Sequence, residues 1–166
     1  MQNQLFYRGP SREVLHEAYA KKGHIDEAAP VKTSGDIYIQ APAEQVWELL
    51  IDLPAWPTID TAIRTVSLNA PAAVDAHFSF VLNGFPTQAT LAVVEPGREL
   101  TWTGESLWFK SVDVHRLEPA QDSGTRLYIA ESFAGVLAPV FLTSTRLKAQ
   151  HDRWLTAFKR AAESGH

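Results

Sequence analysis

The most constraining feature of the sequence is a change of hydrophobic period at Gly135. Between Ile63 and Phe133, short segments of alternating apolar and polar residues are separated by turn residues, the pattern of β-strands. Asn83-Gly84 lies between two such segments and predicts a two-residue β-hairpin. After Gly135 the apolar residues recur about every 3.6 positions, which predicts a long amphipathic helix. Because connections this short join only antiparallel neighbours, the chain is expected to form a meander followed by one helix.

Turn and helix signals place the remaining elements. Further turns are expected at Asn69-Ala70-Pro71, Glu95-Pro96-Gly97, Gly104-Glu105-Ser106 and Gln121-Asp122-Ser123-Gly124. Before the meander, a short strand at 37–40 leads into a helix that begins at Pro42 and is broken by Pro54 and Pro57. The C-terminal helix is expected to bury one stripe, which comprises Phe141, Leu147, His151, Trp154, Leu155, Phe158 and Ala162.

These elements predict a two-layer fold with an internal cavity. Six or seven antiparallel strands with one apolar face need a second layer, and the C-terminal helix is the only long element. The sheet is therefore expected to curl around that helix. Since a helix is only about 10–12 Å across, it cannot fill the mouth of so wide a sheet, and a cavity lined by side chains is expected. The predicted class is α+β.

Composition and charge exclude several classes of protein. The 166 residues contain no cysteine, which excludes disulfide scaffolds, thiolate zinc sites and iron–sulfur clusters. A net charge of −4 with scattered lysines argues against a nucleic acid partner, because binding to phosphates needs clustered cations. The longest apolar run, 133–142, is too short to span a membrane, which takes about 20 residues. The first five residues lack the features of a signal peptide, so a cytoplasmic location is expected.

The chain is predicted to divide into an N-terminal extension, residues 1–34, and one domain, residues 35–166. The extension contains a short amphipathic helix, which is expected to have Ser11 as its N-cap and to end at Lys21-Lys22-Gly23. The apolar stripe of this helix has to pack on another surface. Two alternatives are open: a flap on the surface of the main domain, or a contact in a homodimer.

Several segments of the main domain together resemble a known superfamily. The first is Ala41-Pro42-Ala43-Glu44-Gln45-Val46-Trp47-Glu48-Leu49-Leu50, followed by Asp52 and Trp56-Pro57. The others are 95–102 (EPGRELTW), 115–119 (HRLEP), and 124–127 (GTRL) running into 131–135 (ESFAG). Over residues 35 to about 163 they resemble the START/Bet v 1-like (SRPBCC) superfamily, in particular its polyketide cyclase/dehydrase and lipid-transport branch.

The resemblance implies a helix-grip fold, in which a curved antiparallel sheet wraps the last helix over a deep apolar pocket. The superfamily includes lipid and sterol carriers, hormone receptors, quinone-binding proteins, aromatase/cyclases and chaperone partners. A shared fold therefore does not decide the function, which has to be argued from the pocket.

Two neighbouring strands are expected to bring three ionisable residues together inside the sheet. Glu131 alternates in phase with Leu127, so it is expected to face inward. If Leu117 lies near Leu127, Asp113 and His115 lie beside Glu131, because opposed residues are only about 4.5–5.5 Å apart at Cβ. These three residues are the catalytic candidates, as a general acid/base group. The alternative is that the two carboxyl groups only make internal hydrogen bonds, or that Asp113 faces outward on a twisted edge.

The other predicted site residues are pocket walls. His151 lies on the apolar stripe of the last helix and could offer a polar contact to a ligand. With Glu131 and His151, the predicted ligand-binding residues are Trp56, Phe80, Phe85, Trp102, Phe109, Phe133 and Trp154, of which Trp56 and Phe85 stand at bends that could border an entrance. No metal is predicted, since no local spacing of the His-Glu-x-x-His kind is present, and no cofactor, since there is no glycine-rich phosphate loop.

Three functions fit this sequence. The first is binding of a hydrophobic small molecule, such as a lipid, polyketide, quinone or aromatic metabolite, in a deep apolar cavity with few hydrogen-bonding groups. The alternative is an enzyme of the polyketide cyclase/dehydratase type, in which Asp113, His115 or Glu131 moves protons. A third is a protein-interaction module that uses the N-terminal helix. The sequence leaves the identity of the ligand and the oligomeric state open.

Overall fold

The computed structural model describes residues 4–165 and contains one seven-stranded antiparallel sheet. The strands are β1 (Val31–Ile39), β2 (Ile63–Leu68), β3 (His77–Leu82), β4 (Phe85–Glu95), β5 (Glu99–Ser106), β6 (Phe109–Pro119) and β7 (Thr125–Ala134). The α-helices are α1 (Arg12–Val14), α2 (Ala43–Ile51), α3 (Trp56–Ile59), α4 (Ala138–Phe141) and α5 (Ser144–Glu163). Short 3-10 turns occupy Gln4–Phe6, Ala20–Lys22 and Leu53–Ala55, and a π-helical turn occupies Leu15–Tyr19.

Strands β2 to β7 form a meander, and β1 is added at its edge beside β7. The strand order is β1-β7-β6-β5-β4-β3-β2, and every neighbouring pair is antiparallel. Register shifts between Arg64 and Ser67 and between Leu91 and Val93 mark β-bulges, which bend a strand and increase its twist. The curved sheet wraps α5, as predicted, and the α+β helix-grip fold is confirmed.

The C-terminal helix begins later than the apolar pattern suggested. Thr143 is its N-cap, and the side chain of Thr143 accepts a hydrogen bond from the Arg146 N–H (3.2 Å). Six of the seven predicted stripe residues are buried, namely Leu147, His151, Trp154, Leu155, Phe158 and Ala162. The prediction for Phe141 is wrong: this residue ends α4 and is 55% exposed, because the chain changes direction between the two helices.

One predicted turn is misplaced. β5 continues through Gly104 to Ser106, and the turn to β6 is made by Leu107 and Trp108. Gly104 serves a different purpose, because a Cβ atom at this position would lie 2.7 Å from the Oγ of Ser111 on β6. The glycine therefore leaves room for the Ser111 side chain instead of reversing the chain.

The N-terminal helix packs on the convex face of the sheet. Its start and end agree with the prediction: the Ser11 Oγ accepts from the Val14 N–H (3.2 Å), and Gly23 ends the last turn with φ 67°. Leu15 and Ala20 of this segment form a buried cluster with Ala92, Val112 and Val114. The helix thus covers its own chain, as in the flap alternative.

β6 is buried on both faces from Ser111 to His115, and the outward-facing Val112 and Val114 explain why the second face needs a cover. One face covers α5, and the other is covered by the extension. β1 begins at Val31 and pairs with β7 along its whole length, so the predicted boundary after residue 34 lies inside this strand. Among residues 4–165, no helix is both long and apolar enough to cross a membrane.

Candidate functional site

A cavity of about 90 Å³ lies between the concave face of the sheet, α3 and α5. Eight of its seventeen lining residues are apolar: Trp56, Ile63, Phe80, Leu82, Trp102, Ile129, Phe133 and Trp154. The other nine are polar: Asp60, Thr87, Ser111, Asp113, His115, Glu131, Gln150, His151 and Arg153. By surface area the cavity wall is nonetheless mostly apolar, with an aromatic part and a smaller polar part.

Aromatic rings pack against one another inside the curved sheet. Trp56 is 2% exposed, and its ring centroid lies 5.4 Å from that of Trp102 and 5.6 Å from that of Trp154. The Trp56 indole N–H donates to the Leu50 carbonyl (3.1 Å), which fixes the ring in the core instead of at the tip of a bend. Ligand pockets commonly measure about 300–1,000 Å³. The cavity is therefore sized for a compact molecule.

The register of β6 and β7 is the one that the sequence predicted. Leu117 lies opposite Leu127, and Asp113 lies opposite Glu131. Asp113, His115 and Glu131 consequently share the inward face and line the cavity together. The alternative in which Asp113 faces outward is wrong, because this residue is only 8% exposed and lies within the concave wall.

Glu131 and His151 form a buried pair between the sheet and α5. The Nε2 atom of His151 lies 2.9 Å from the Oε2 atom of Glu131, and the two side chains are 8% and 12% exposed. Burial and the charge of Asp113 raise the pKa of Glu131 from an ordinary value of 4.5 to about 7, although the contact with His151 opposes this rise. Burial by itself lowers the pKa of His151, but its hydrogen bond to Glu131 and the nearby carboxylates together raise it.

His115 is held by contacts with three other side chains. Its ring stacks on Trp102 with 4.9 Å between centroids, and its Nε2 atom accepts a hydrogen bond from the Trp154 indole N–H (3.3 Å). Because Nε2 is an acceptor, the proton of the neutral ring is on Nδ1. This Nδ1 lies 3.0 Å from the Oδ1 atom of Asp113, without the alignment of a hydrogen bond. Small movements of either side chain would complete that bond.

Together these groups can hold and exchange a proton in surroundings with little water. Glu131 with a pKa near 7 is present in both protonation states at neutral pH. Asp113, Glu131 and His151 also place one ligand atom each within 4.8 Å of one another, a spacing that a divalent ion can use. The direct hydrogen bond between Glu131 and His151 accounts for their approach without an ion, so we treat them as an acid/base pair.

The cavity includes most of the predicted site residues. Asp113, His115 and Glu131 are present, as are Trp56, Phe80, Trp102, Phe133, His151 and Trp154. Phe85 does not line it, because this residue lies at the tip of the β3–β4 hairpin and is 56% exposed. Phe109 does not line it either, since its ring packs on Trp108 and Phe141 (centroids 4.6 and 5.9 Å away) at the end of β6.

The sequence analysis missed an ion pair in the cavity wall. The Nε atom of Arg153 lies 3.1 Å from the Oδ2 atom of Asp60, whose side chain is 6% exposed. The Arg153 side chain is 46% exposed, so it reaches the cavity wall from the solvent side of the helix. Arg153 directly precedes Trp154 and so lies at the edge of the buried stripe. This position is the one sequence feature that could have predicted its contact with the cavity wall. Asp60 follows α3 and its position depends on the packing of that helix.

A family comparison matches most of the chain. The sequence profile of the family described as polyketide cyclase/dehydrase and lipid transport matches residues 30–163. The chain belongs to this family. The predicted polyketide cyclase/dehydrase and lipid-transport branch is thereby confirmed, and the match begins one residue before β1. A search of curated protein sequences found no relative of this family member.

Solved structures share the fold of this cyclase/lipid-transport family member. A hypothetical protein from Helicobacter pylori superposes with a TM-score of 0.71 at 18% identity, covering 80% of this chain and 88% of that chain. DynU16, a putative protein in the dynemicin biosynthetic locus, gives 0.65 at 19% identity, covering 81% of this chain and 48% of that one. Ara h 8.0201 gives 0.64 at 12% identity, covering 80% and 97%. At these identities the likeness concerns the fold.

Proposed function

We propose that this protein binds a compact, ring-containing organic molecule that carries one hydrogen-bonding group, and that the Glu131–His151 pair holds this group. The observation on which the proposal depends is the juxtaposition of an aromatic wall and a buried acid/base pair in one small cavity. Membership of a family associated with polyketide and lipid ligands supports a largely apolar ligand.

The size of the cavity favours the aromatic-metabolite class among the ligands that the sequence left open. An engineered cavity of about 150 Å³ holds benzene. A volume of about 90 Å³ accommodates a single ring after small side-chain movements, whereas an acyl chain would require displacement of a tryptophan. Ring faces of Trp56, Trp102 and Trp154 would stack on the ligand, and burial of its apolar area would contribute about 25 cal/mol per Å².

The polar part of the cavity supports a ligand with a hydroxyl or carbonyl group. A neutral Glu131 donates one hydrogen bond and an ionised Glu131 accepts several, so the pair can serve either kind of group. The Oδ1 atom of Asp113 and the Nδ1 atoms of His115 and His151 are buried without a hydrogen-bond partner among the described residues. Buried polar atoms of this kind are normally satisfied: those of Asp113 and His115 lie 3.0 Å apart and can satisfy each other, whereas a ligand group would satisfy the Nδ1 atom of His151.

A pair of matched probes tests this proposal. Binding of phenol and of toluene, which differ in one hydroxyl group, is measured by NMR titration of the wild-type protein. We expect phenol to bind roughly tenfold more tightly, since a hydrogen bond to a charged group contributes about 1.5–3 kcal/mol. Glu131→Leu should remove this preference and keep toluene binding, and Glu118→Leu, at an exposed position of β6, should change neither.

Two results would contradict the proposal. Equal binding of phenol and toluene to the wild type would show that the pair does not hold the ligand. Binding of dodecanoate in preference to both rings would show that the cavity opens for acyl chains, and the ligand class would be wrong.

A second function, proton transfer on the bound molecule, is favoured by the pKa of Glu131 near 7 beside His151. In a dehydration, the Glu131 carboxylate would take the proton from the carbon next to a carbonyl group. The His151 imidazolium would give a proton to the β-hydroxyl group, which leaves as water while the carbon–carbon double bond forms. This is the cyclase/dehydratase alternative, with His151 in the role of the acid.

An aryl ketone with a β-hydroxyl group, 3-hydroxy-1-phenylpropan-1-one, is a suitable probe because its dehydration product, an aryl vinyl ketone, can be separated from it by liquid chromatography and quantified. We expect Glu131→Gln to abolish turnover and retain binding, and His115→Ala to retain most turnover if His151 is the acid. Glu118→Gln serves as the control. Absence of turnover by the wild type with this probe and its ring-substituted analogues would leave binding as the function.

A further inference from the structure

Six exposed hydrophobic side chains cluster at one end of the molecule. They belong to the N-terminal turn, the β5–β6 turn, and α4 with the residue before it: Phe6, Leu107, Trp108, Leu137, Val140 and Phe141. Each is at least 38% exposed, and Phe6 and Val140 are 61% exposed. We call this surface the end patch. Isolated exposed apolar residues are common, but contiguous ones mark interaction surfaces.

Direct contacts join the three segments of the end patch. The rings of Trp108 and Phe141 meet edge to face with centroids 5.7 Å apart, and the Trp108 indole N–H donates to the Val136 carbonyl (2.9 Å). The Leu137 N–H donates to the Leu5 carbonyl (2.6 Å), which holds the N-terminal turn against the loop before α4. The end patch is therefore one continuous surface.

The two leucines of the end patch have an unusual backbone conformation. Leu107 has φ 57° and Leu137 has φ 63°, in the left-handed region where glycine or asparagine is the favoured residue. Stability would favour glycine at both positions, and neither leucine gains burial in return, since they are 56% and 38% exposed. A contact of these side chains with a partner would account for leucine at both positions.

The charge at this end is opposite in sign to that of the whole chain. The segments that build the end patch, residues 4–12, 106–112 and 133–150, contain five cations (Arg8, Arg12, Lys110, Arg146 and Lys148) and no Asp or Glu, while Glu13, Glu105 and Asp113 lie directly beyond their ends. Arg12 and Lys148 contact carboxylates of neighbouring segments, whereas Arg146 has no carboxylate within 4.0 Å among residues 4–165. The whole chain carries 19 acidic and 15 basic residues.

We propose that the end patch docks onto a lipid bilayer that contains anionic headgroups. Exposed Phe, Leu, Val and Trp side chains bordered by cations match such a surface, since the apolar groups enter the boundary of the acyl chains while the cations contact phosphates. Ser111 and Phe133 line the cavity near this end of the sheet, so docking would bring the cavity close to the membrane. The proposal goes beyond the proposed function and does not depend on which molecule the cavity holds.

Vesicle flotation of the full chain tests the docking surface. The two vesicle types are phosphatidylcholine alone and phosphatidylcholine mixed with phosphatidylglycerol, each at low and high salt. We expect binding to the anionic vesicles only, weakened by salt. Val140→Glu and Arg146→Glu should each reduce it roughly tenfold or more, because one adds a carboxylate among the inserted groups and the other reverses a charge at the surface.

Matched controls lie at the opposite end of the sheet, in the β2–β3 and β4–β5 connections. Val74 is 50% exposed and the Arg98 side chain is 79% exposed, so Val74→Glu and Arg98→Glu make the same changes away from the end patch and should leave flotation unchanged. Light scattering after size-exclusion chromatography measures the oligomeric state of the same five proteins.

Three results would overturn the proposal. The first is equal binding to both vesicle types, or none. The second is an equal loss of binding in the control variants and the end-patch variants. The third is a wild-type dimer that does not bind vesicles and that Val140→Glu dissociates, which would assign the end patch to contacts between copies of the chain.

Discussion

Replacement of Glu131 by glutamine tests the electrostatics of the site most directly. The amide has nearly the same shape as the carboxyl group and carries no charge at any pH. We expect Glu131→Gln to match the wild type in stability at pH 5 and to exceed it at pH 8. The reason is that the wild type has to keep an ionised carboxylate in the buried wall above neutral pH.

The magnitude follows from the two pKa values of Glu131. Its pKa is about 7 in the folded protein and near 4.5 when exposed, so the folded state holds one more proton between these values. Stability is thus greatest below pH 4.5 and is lost as the pH rises to about 7. At about 1.4 kcal/mol per pKa unit, the difference of 7 − 4.5 = 2.5 gives a loss on the order of 3 kcal/mol. The raised pKa of His151 acts in the same direction.

Urea unfolding at pH 5, 6, 7 and 8 measures this effect. The wild type should lose roughly 2 to 3 kcal/mol across the series, and Glu131→Gln should lose much less. Glu118→Gln, at an exposed position on β6, is the control and should follow the wild type. A wild-type stability that is constant or rises from pH 5 to pH 8, or equal slopes in wild type and Glu131→Gln, would refute the reasoning.

Three further substitutions, two of them paired with a control, test the packing of the cavity wall and of the N-terminal segment. Phe80→Ala, in the cavity wall, should lower the free energy of unfolding measured in urea by about 3–5 kcal/mol and widen the cavity. Phe85→Ala, at the exposed hairpin tip, should change it by less than about 0.5 kcal/mol. Leu15→Ala should lower the free energy of unfolding by about 2–5 kcal/mol, and Val14→Ala, at an exposed position, by much less. Similar losses in the two variants would show that the extension does not pack on the sheet. Gly23→Ala should cost at least about 1–2 kcal/mol because φ is positive there, and no loss of stability would contradict the left-handed end of the helix.

Which residues face the site could be predicted from the sequence, because this depends on the alternation of side chains along each strand. Glu131 is inward because it alternates with Leu127, and Asp113 comes opposite to it once Leu117 pairs with Leu127. The same rule identified His151 on the buried stripe of the last helix. These predictions use only the period of 2 in strands and 3.6 in helices, which is a local property of the chain.

The sequence by itself determined the order of the elements, the meander, the wrapped C-terminal helix and the inward faces, because hydrophobic period and turn residues specify these locally. The tertiary structure alone decided the volume of the cavity, since that volume depends on how the rings of Trp56, Trp102 and Trp154 from three separate segments meet. It also decided that Asp60 pairs with Arg153 and that α4 and two turns form the end patch. Contacts between segments distant along the chain leave no periodic trace in the sequence.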